Sequence, residues 1–184
     1  MENKKVIIIP GAFQYVKNYG NYEGVDIWLK EKTDNEKIRN ADFIIAHSFG
    51  ANYVFSFPVS NNQKFILINP SIKKRNFVKL IIRDLKYLIF EKISLKKIIP
   101  IPSWFYAFKK VYKLSKIDTL KVIKQLPKEN IFIIRGDKDN FFCDDEIVNI
   151  IKKENLPLIE VEAGHNWNKN IAKVVNKIIF EQQA

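Results

Sequence analysis

The segment Asp42–Ala51 reads DFIIAHSFGA and joins a short apolar run to a serine set among small residues. The run predicts a β-strand, and the residues that follow, Asn52–Phe57, are compatible with a helix. A serine at such a junction sits on a tight turn, and its hydroxyl projects from the carboxyl edge of the sheet. Ser48 is therefore a candidate nucleophile. Taken alone, the segment fits equally well an ordinary turn whose serine caps the following helix.

Apolar, β-branched runs recur along the chain and predict five strands, with a sixth candidate at Val25–Leu29 for which a helix is the alternative. Continuous apolar runs such as FIIA, FILI and IFII indicate burial on both faces, which is typical of a parallel sheet covered by helices. We predict an α/β fold: a mostly parallel sheet of five or six strands flanked by helices, in one domain over residues 1–184. The five predicted strands are Val6–Ile9, Asp42–Ala46, Lys64–Ile68, Ile131–Arg135 and Leu158–Val161.

Length and composition indicate a globular protein. A chain of 184 residues can bury a core without disulfide or metal cross-links. A composition of 47% apolar and 28% charged residues excludes intrinsic disorder. The single cysteine cannot form an intramolecular disulfide, which favours a reducing cytoplasm. No run reaches the ~18 apolar residues of a membrane-spanning helix, and Val6–Ile9 is shorter than the ~7–15 apolar residues of a signal peptide. We predict a cytoplasmic protein.

Positive charge is concentrated in the segment between the strands predicted at Lys64–Ile68 and Ile131–Arg135. The net charge is +11, and residues 72–128 hold 16 Lys and Arg against 3 Asp and Glu. The spacing predicts a basic amphipathic helix within Phe77–Ile93 and a third helix at about Ile117–Gln125. Between them, Ser103 is placed to cap a helix that begins at Trp104. We expect residues 71–128 to form a helical lid insertion over the active-site edge of the sheet.

Acidic and imidazole side chains follow the last two predicted strands. Arg135–Asp139 (RGDKD) closes one of these strands, and His165 lies in the Gly-containing loop that follows the other. An acid at a strand end can reach a histidine at the same edge, and such a histidine is placed for proton transfer. Each feature also has a simpler interpretation: Asp137 or Asp139 could cap a following helix, and His165 could be a surface residue.

The order Ser, Asp, His, each after a successive predicted strand, resembles the α/β-hydrolase superfamily, especially its compact members of under 200 residues. The resemblance covers nearly the whole chain, with residues 71–128 the least comparable part. It implies a triad of Ser48, His165 and Asp139, since the family's acid usually lies three residues after the strand-end glycine. One departure is Ala46, which replaces the first glycine of G-x-S-x-G.

The same resemblance implies an oxyanion hole of two backbone amides. One is that of Phe49, which follows the nucleophile, and the other is that of Ala12, with Phe13 next in preference. Pro10 stands where the family more often has histidine, a tolerable departure because this loop contributes its backbone.

These roles predict a serine hydrolase that cleaves an ester or thioester through an acyl-enzyme, most simply a carboxylesterase. The alternatives are a non-catalytic binding protein on the same scaffold, and a hydrolase whose basic helix Phe77–Lys97 lies on anionic membrane. Clustered lysine without a recognised motif predicts no specific nucleic-acid partner, and we expect neither cofactor nor metal. The oligomeric state stays open. The residues expected to contact the substrate are Phe13, Trp104, Phe105 and His47. For His47, a structural role is the alternative.

Overall fold

A parallel sheet forms the centre of the computed structural model, which describes residues 4–30, 35–74, 76, 80, 82–83, 86–87 and 97–182. Its strands lie side by side in the order in which the chain makes them, and every neighbouring pair is parallel. All carboxyl ends therefore meet at one edge. The prediction of a parallel α/β sheet is confirmed, with strand bounds within one residue: β1 (Val6–Ile9), β2 (Phe43–His47), β3 (Lys64–Ile68), β4 (Ile131–Gly136) and β5 (Leu158–Val161).

Six helices have both ends within the described part of the chain, and residues 80, 82–83 and 86–87 are helical as well. Side-chain caps explain where several of the six begin. Asp144 accepts a hydrogen bond from the Ile147 amide before the fifth helix, and Asn168 accepts two before the last. Asp118 accepts a hydrogen bond from the Lys121 amide at the start of the fourth helix. The helices are α1 (Asn35–Arg39), α2 (Phe49–Val54), α3 (Trp104–Leu114), α4 (Thr119–Ile123), α5 (Asp145–Lys153) and α6 (Lys169–Glu181).

The two faces of the sheet are covered differently. Alternate residues of each strand point to opposite faces, so that Ile7 and Ile9 pack with buried residues of α1 to α5 while Ile8 packs on the other side. There the cover comes from α6 and from Tyr19, which lies in a short 3₁₀ turn. Placement of α1, α2 and α5 on one face follows from right-handed crossovers between strands that advance in one direction.

Three predictions about secondary structure are wrong or fall outside the described residues. Val25–Leu29 is not a strand: Gly24 makes a single parallel bridge to Ile8, and the chain then turns so that Trp28 is buried. The helix at Trp104 is present, but Ser103 makes no capping bond because a 3₁₀ turn precedes it. Most of the helix predicted within Phe77–Ile93 lies outside the described residues.

None of the helices in the described ranges is both long and apolar enough to cross a membrane.

Candidate active site

Ser48 occupies a sharp turn between β2 and α2. Its backbone has φ 51° and ψ −120°, a conformation that is uncommon for a residue with a side chain and that stores strain of ~1–3 kcal/mol. The Ser48 amide donates to the carbonyl of Ile68 at 2.8 Å, which fixes the turn to the end of β3. The Ser48 side chain makes no capping bond to α2, so the capping interpretation is wrong.

The turn requires a residue without a side chain two positions after Ser48. A Cβ on Gly50 would lie 2.5 Å from the carbonyl oxygen of Ile9 and 3.0 Å from that of Pro10. The start of α2 therefore packs directly on the end of β1. This close approach brings the residues after β1 to the side of Ser48.

A buried carboxylate and imidazole face each other across the ends of β4 and β5. Asp139 Oδ2 lies 2.7 Å from His165 Nδ1, and both residues are buried. Since an ionised carboxylate only accepts, Nδ1 carries the proton and Nε2 holds the lone pair. No described residue hydrogen-bonds Nε2, so this atom is available as a base.

Backbone amides hold the Asp139 carboxylate in its charged form. Oδ1 accepts from the amides of Phe141 and Phe142, and Oδ2 accepts from Cys143 in addition to His165. Burial alone would raise the pKa of Asp139, but the charge and hydrogen bond of His165, with the amides, hold the pKa below its usual range. The neighbouring Asp137 instead accepts from the Ala163 amide at 3.1 Å.

Two side chains fix the main chain of His165. Asn69, directly after β3, donates to the His165 carbonyl at 2.8 Å, and His47 Nε2 lies 2.8 Å from the same oxygen. Asn69 also accepts from the Gly136 amide at 2.7 Å, so it joins the acid loop to the histidine loop. Sequence reasoning missed Asn69, although a polar residue directly after a buried strand is a signal for this edge.

His47 is buried, and both of its ring nitrogens have partners. Burial, and then the charge of His165, lower the pKa of His47 to about 3, so the ring is neutral at pH 7. Nε2 faces a carbonyl and must donate, which leaves Nδ1 as the unprotonated nitrogen, 2.6 Å from the Tyr19 hydroxyl oxygen. These contacts favour the structural alternative for His47 over contact with substrate.

Four backbone amides in the turns beside Ser48 have no acceptor among the described residues: those of Ala12, Phe13, Phe49 and Gly50. Phe49 is the first residue of α2, where helical amides lack intrahelical acceptors. The Gly11 amide is not available, because it donates to the Tyr19 hydroxyl at 2.9 Å. Ala12 is therefore the first free amide after β1. It lies in a turn in which the Gln14 amide donates a hydrogen bond to the Gly11 carbonyl at 3.1 Å.

Aromatic rings adjoin this turn. The Phe13 ring lies 4.8 Å from Phe108, 6.0 Å from Trp104 and 6.4 Å from Trp28, measured between ring centroids. The structure thus brings together Phe13 and Trp104 of the predicted substrate residues. Phe105 lies outside this group, with 83% of its surface exposed.

Two described residues of the segment between β3 and β4 contact the acid and histidine loops. Arg83 donates to the Phe141 carbonyl at 2.6 Å and to the Asp144 carboxylate at 2.8 Å. The Tyr87 ring stands edge-on to the His165 ring, with centroids 5.1 Å apart. Ser48 itself is 3% exposed, and no hydrogen bond joins its hydroxyl to the His165 ring among the described residues.

Within the described ranges, no group of three or more His, Cys, Asp and Glu side chains is arranged to hold a metal ion.

Comparison with known proteins yields matches in structure alone, since no protein-family model and no curated protein matches the chain. A carboxylesterase structure from the thaumarchaeon Nitrososphaera gargenis is similar over 99% of this chain and 90% of its own, with 14% identity and a TM-score of 0.59. MenH from S. aureus is similar over 98% of this chain and 95% of its own, with 15% identity and a TM-score of 0.48. The parallel sheet and the likeness to the archaeal structure show that the chain has the α/β-hydrolase fold.

Proposed function

We propose that the protein is a serine hydrolase that cleaves an ester or thioester, most simply as a carboxylesterase. Ser48 is the nucleophile, His165 the base and Asp139 the residue that orients His165. The observation that carries the proposal is the buried 2.7 Å contact between Asp139 Oδ2 and His165 Nδ1, at the same sheet edge as the strained turn of Ser48. The similarity of this chain to the archaeal carboxylesterase structure supports the fold of such an enzyme and no more.

In this proposal the proton transfers pass through one atom, His165 Nε2, which has no hydrogen-bond partner among the described residues. It takes the proton from Ser48 as the serine oxygen attacks the carbonyl carbon, and the alcohol or thiol departs with that proton. A water molecule then attacks the acyl-enzyme by the same route and releases the acid. Asp139, held ionised by backbone amides, stabilises the imidazolium that forms at each step.

The amides of Ala12 and Phe49 are the proposed oxyanion donors. Both lack acceptors among the described residues, Phe49 directly follows Ser48, and Ala12 is the first free amide after β1, on whose end α2 packs. Loss of one such donor typically costs about 10²–10³ in rate. The ring group around Phe13 adjoins these amides and suits an apolar acyl chain. Lysines of α3 would suit the phosphates of an acyl-CoA, which makes a thioesterase the close variant.

We propose that residues 71–128 cover the site as a lid. The described contacts that support this are those of Arg83 with the acid loop and of Tyr87 with His165.

Hydrolysis of p-nitrophenyl esters of graded chain length, with acyl-CoA esters in parallel, tests the proposal. Replacement of Ser48 by Ala should lower kcat by about 10⁴–10⁶, because the nucleophile is lost. Ser56→Ala is the matched control: Ser56 is an exposed serine just past α2, and its loss should leave the rate unchanged. Full activity of the Ser48 variant would refute the proposal.

A non-catalytic binding protein on the same scaffold is the second candidate function. The near-complete burial of Ser48 and the lack of a hydrogen bond from its hydroxyl to the His165 ring favour it. Catalytic hydrogen bonds are often long in unliganded sites, so these observations also fit an enzyme at rest. Inertness of the wild-type protein toward both ester panels would select the binding protein.

A further inference from the structure

The outward face of α3 and the turn before it carry large apolar side chains in solvent. Ile101 is 76% exposed and Phe105 83% exposed, and Phe108 and Tyr112 are exposed on the same helix. The spacing of four, three and four residues places all of them on one face. They form a continuous ridge, called here the α3 ridge.

The ridge is distinct from the face by which α3 is held to the protein. Ala107, Val111 and Leu114 are buried and pack in the core beneath the sheet's α1–α5 face. The helix therefore carries large apolar side chains on its outer face as well, and the packing of α3 on the core does not require them. A helix that needed one face alone would carry polar residues on the other.

Lysines border the ridge, and acids are nearly absent. Lys109, Lys113 and Lys116 are exposed beside it, and the Lys116 ammonium lies 4.1 Å from the centre of the Tyr112 ring. Asp118 is the one acidic residue of the sequence between positions 92 and 128. Apolar side chains flanked by cations match a surface with anionic groups above an apolar interior.

We propose that the α3 ridge docks on the surface of an anionic phospholipid bilayer. Ile101 and Phe105 enter the boundary between headgroups and acyl chains, and the lysines meet the lipid phosphates. Charge argues against a second copy of this chain as the occupant, since each copy would present the same lysines. The basic helix predicted at Phe77–Lys97 lies mostly outside the described residues, and the exposure and charge of described residues favour α3.

The docked face would open onto the candidate active site. Phe108 of the ridge packs on Phe13 at 4.8 Å, and the Ile99 amide donates to the Phe13 carbonyl at 2.9 Å. An acyl chain that leaves the bilayer at the ridge would therefore first meet the ring group beside Ala12. Bilayer docking itself does not depend on the proposed hydrolase activity.

Sedimentation with vesicles tests the proposal directly. We expect the full-length protein to bind vesicles of equal parts phosphatidylglycerol and phosphatidylcholine, and to bind pure phosphatidylcholine at least about tenfold more weakly, because anionic lipid attracts lysine. Raising the salt from about 0.1 M to about 1 M should weaken binding to the anionic vesicles, since the Debye length shortens.

Substitutions separate the ridge from general surface charge. Ile101→Glu with Phe105→Glu should weaken binding at least about tenfold, because it removes the apolar contact and adds repulsion. Phe180→Glu is the matched control: Phe180 is 75% exposed on α6, on the opposite side of the sheet, and its change should alter binding less than about twofold by the same reasoning. Lys109→Glu with Lys113→Glu should weaken binding to anionic vesicles alone.

Three results would overturn the proposal. The first is equal binding to neutral and anionic vesicles, and the second is an equal loss of vesicle binding in the Phe105 and Phe180 variants. The third is a salt-resistant dimer in analytical ultracentrifugation that is absent in the Phe105 variant. Circular dichroism of each variant shows whether it is folded, which these exposed positions lead us to expect.

Discussion

Two sides of the same sheet edge differ in how their functional side chains are held. On one side, the loops after β3, β4 and β5 are joined by directional hydrogen bonds: Asn69 to His165 and Gly136, and His165 to Asp139. On the other side, hydrogen bonds fix the main chain of the loop after β1, but the Phe13 side chain is held by ring packing against Trp104 and Phe108.

The difference indicates that the two sides serve different functions. Hydrogen bonds in a buried setting lose strength steeply with distance and angle, so they fix a geometry that proton transfer needs. Ring contacts are weakly directional and tolerate change, which suits the recognition of an apolar group of variable length. Substitutions on the first side should therefore alter kcat or stability, and those on the second should alter KM.

Among substitutions on these two sides, the largest effect is expected from Asp139→Asn. The amide cannot hold the His165 tautomer in which Nε2 is the base, so kcat should fall about 10³–10⁴-fold with little change in KM. The measurement is steady-state ester hydrolysis. Asp137→Asn is the control, because its oxygen can still accept from the Ala163 amide, and it should lose less than about tenfold. A larger loss in the Asp137 variant would move the acid to that residue.

The free energy of unfolding should decrease as the pH is lowered, because of His47. Its pKa is about 3 in the folded protein against 6.5 in the unfolded chain, so the unfolded state binds the proton first as pH falls. The contribution is complete above about pH 6.5, and the free energy of unfolding should decrease toward pH 3 by up to about 1.4 kcal/mol per pH unit. Urea denaturation from pH 7 to pH 5 measures this slope.

The control for that slope is His47→Gln, which keeps His165, the chain's other histidine. Asp139 acts in the same direction but below its ordinary pKa of ~3.9, outside the measured window. Identical slopes for wild type and variant would contradict the neutral, buried state of His47.

A smaller effect is expected from Asn69→Asp. Aspartate tolerates the Asn69 backbone, which has φ 44°, but it cannot donate to the carbonyls of Gly164 and His165. The free energy of unfolding should fall by about 2 kcal/mol, and kcat should fall about 10–100-fold as His165 loses its position. Thermal unfolding and ester kinetics give the two readouts, and an unchanged kcat would show that His165 keeps its position without Asn69.

The smallest effect is expected on the aromatic side. Phe13→Ala keeps the backbone amides and removes one ring, so KM for long acyl chains should rise about tenfold while kcat for acetyl esters changes less than about threefold. Phe105→Ala, whose ring lies outside this group, should change neither value with soluble esters. A loss of kcat with acetyl esters in the Phe13 variant would place its side chain in the catalytic geometry.

Sequence predicted the sheet well because its signal is local. Val6–Ile9, Lys64–Ile68 and Leu158–Val161 are observed with the predicted bounds, since each is a mostly apolar run bounded by polar residues or proline. Val25–Leu29 failed because the same alternation can arise where a turn buries Ile27 and Trp28 together.

The roles around His165 could not be predicted, since they depend on loops that meet only after folding. Asn69 and His47 reach the His165 carbonyl from positions 96 and 118 residues earlier in the chain. The resemblance did supply the pair of His165 and Asp139, which the structure places in contact. The catalytic roles, the lid and the cytoplasmic location stay predictions.

Labelling with a fluorophosphonate probe, read by intact mass and peptide mapping, tests the central assignment most directly. A serine activated by the His165–Asp139 pair should take up one probe, on Ser48, and the Asp139→Asn variant should react at least about 10³-fold more slowly. A wild-type protein that stays unlabelled, or that is labelled elsewhere than Ser48, would contradict the account.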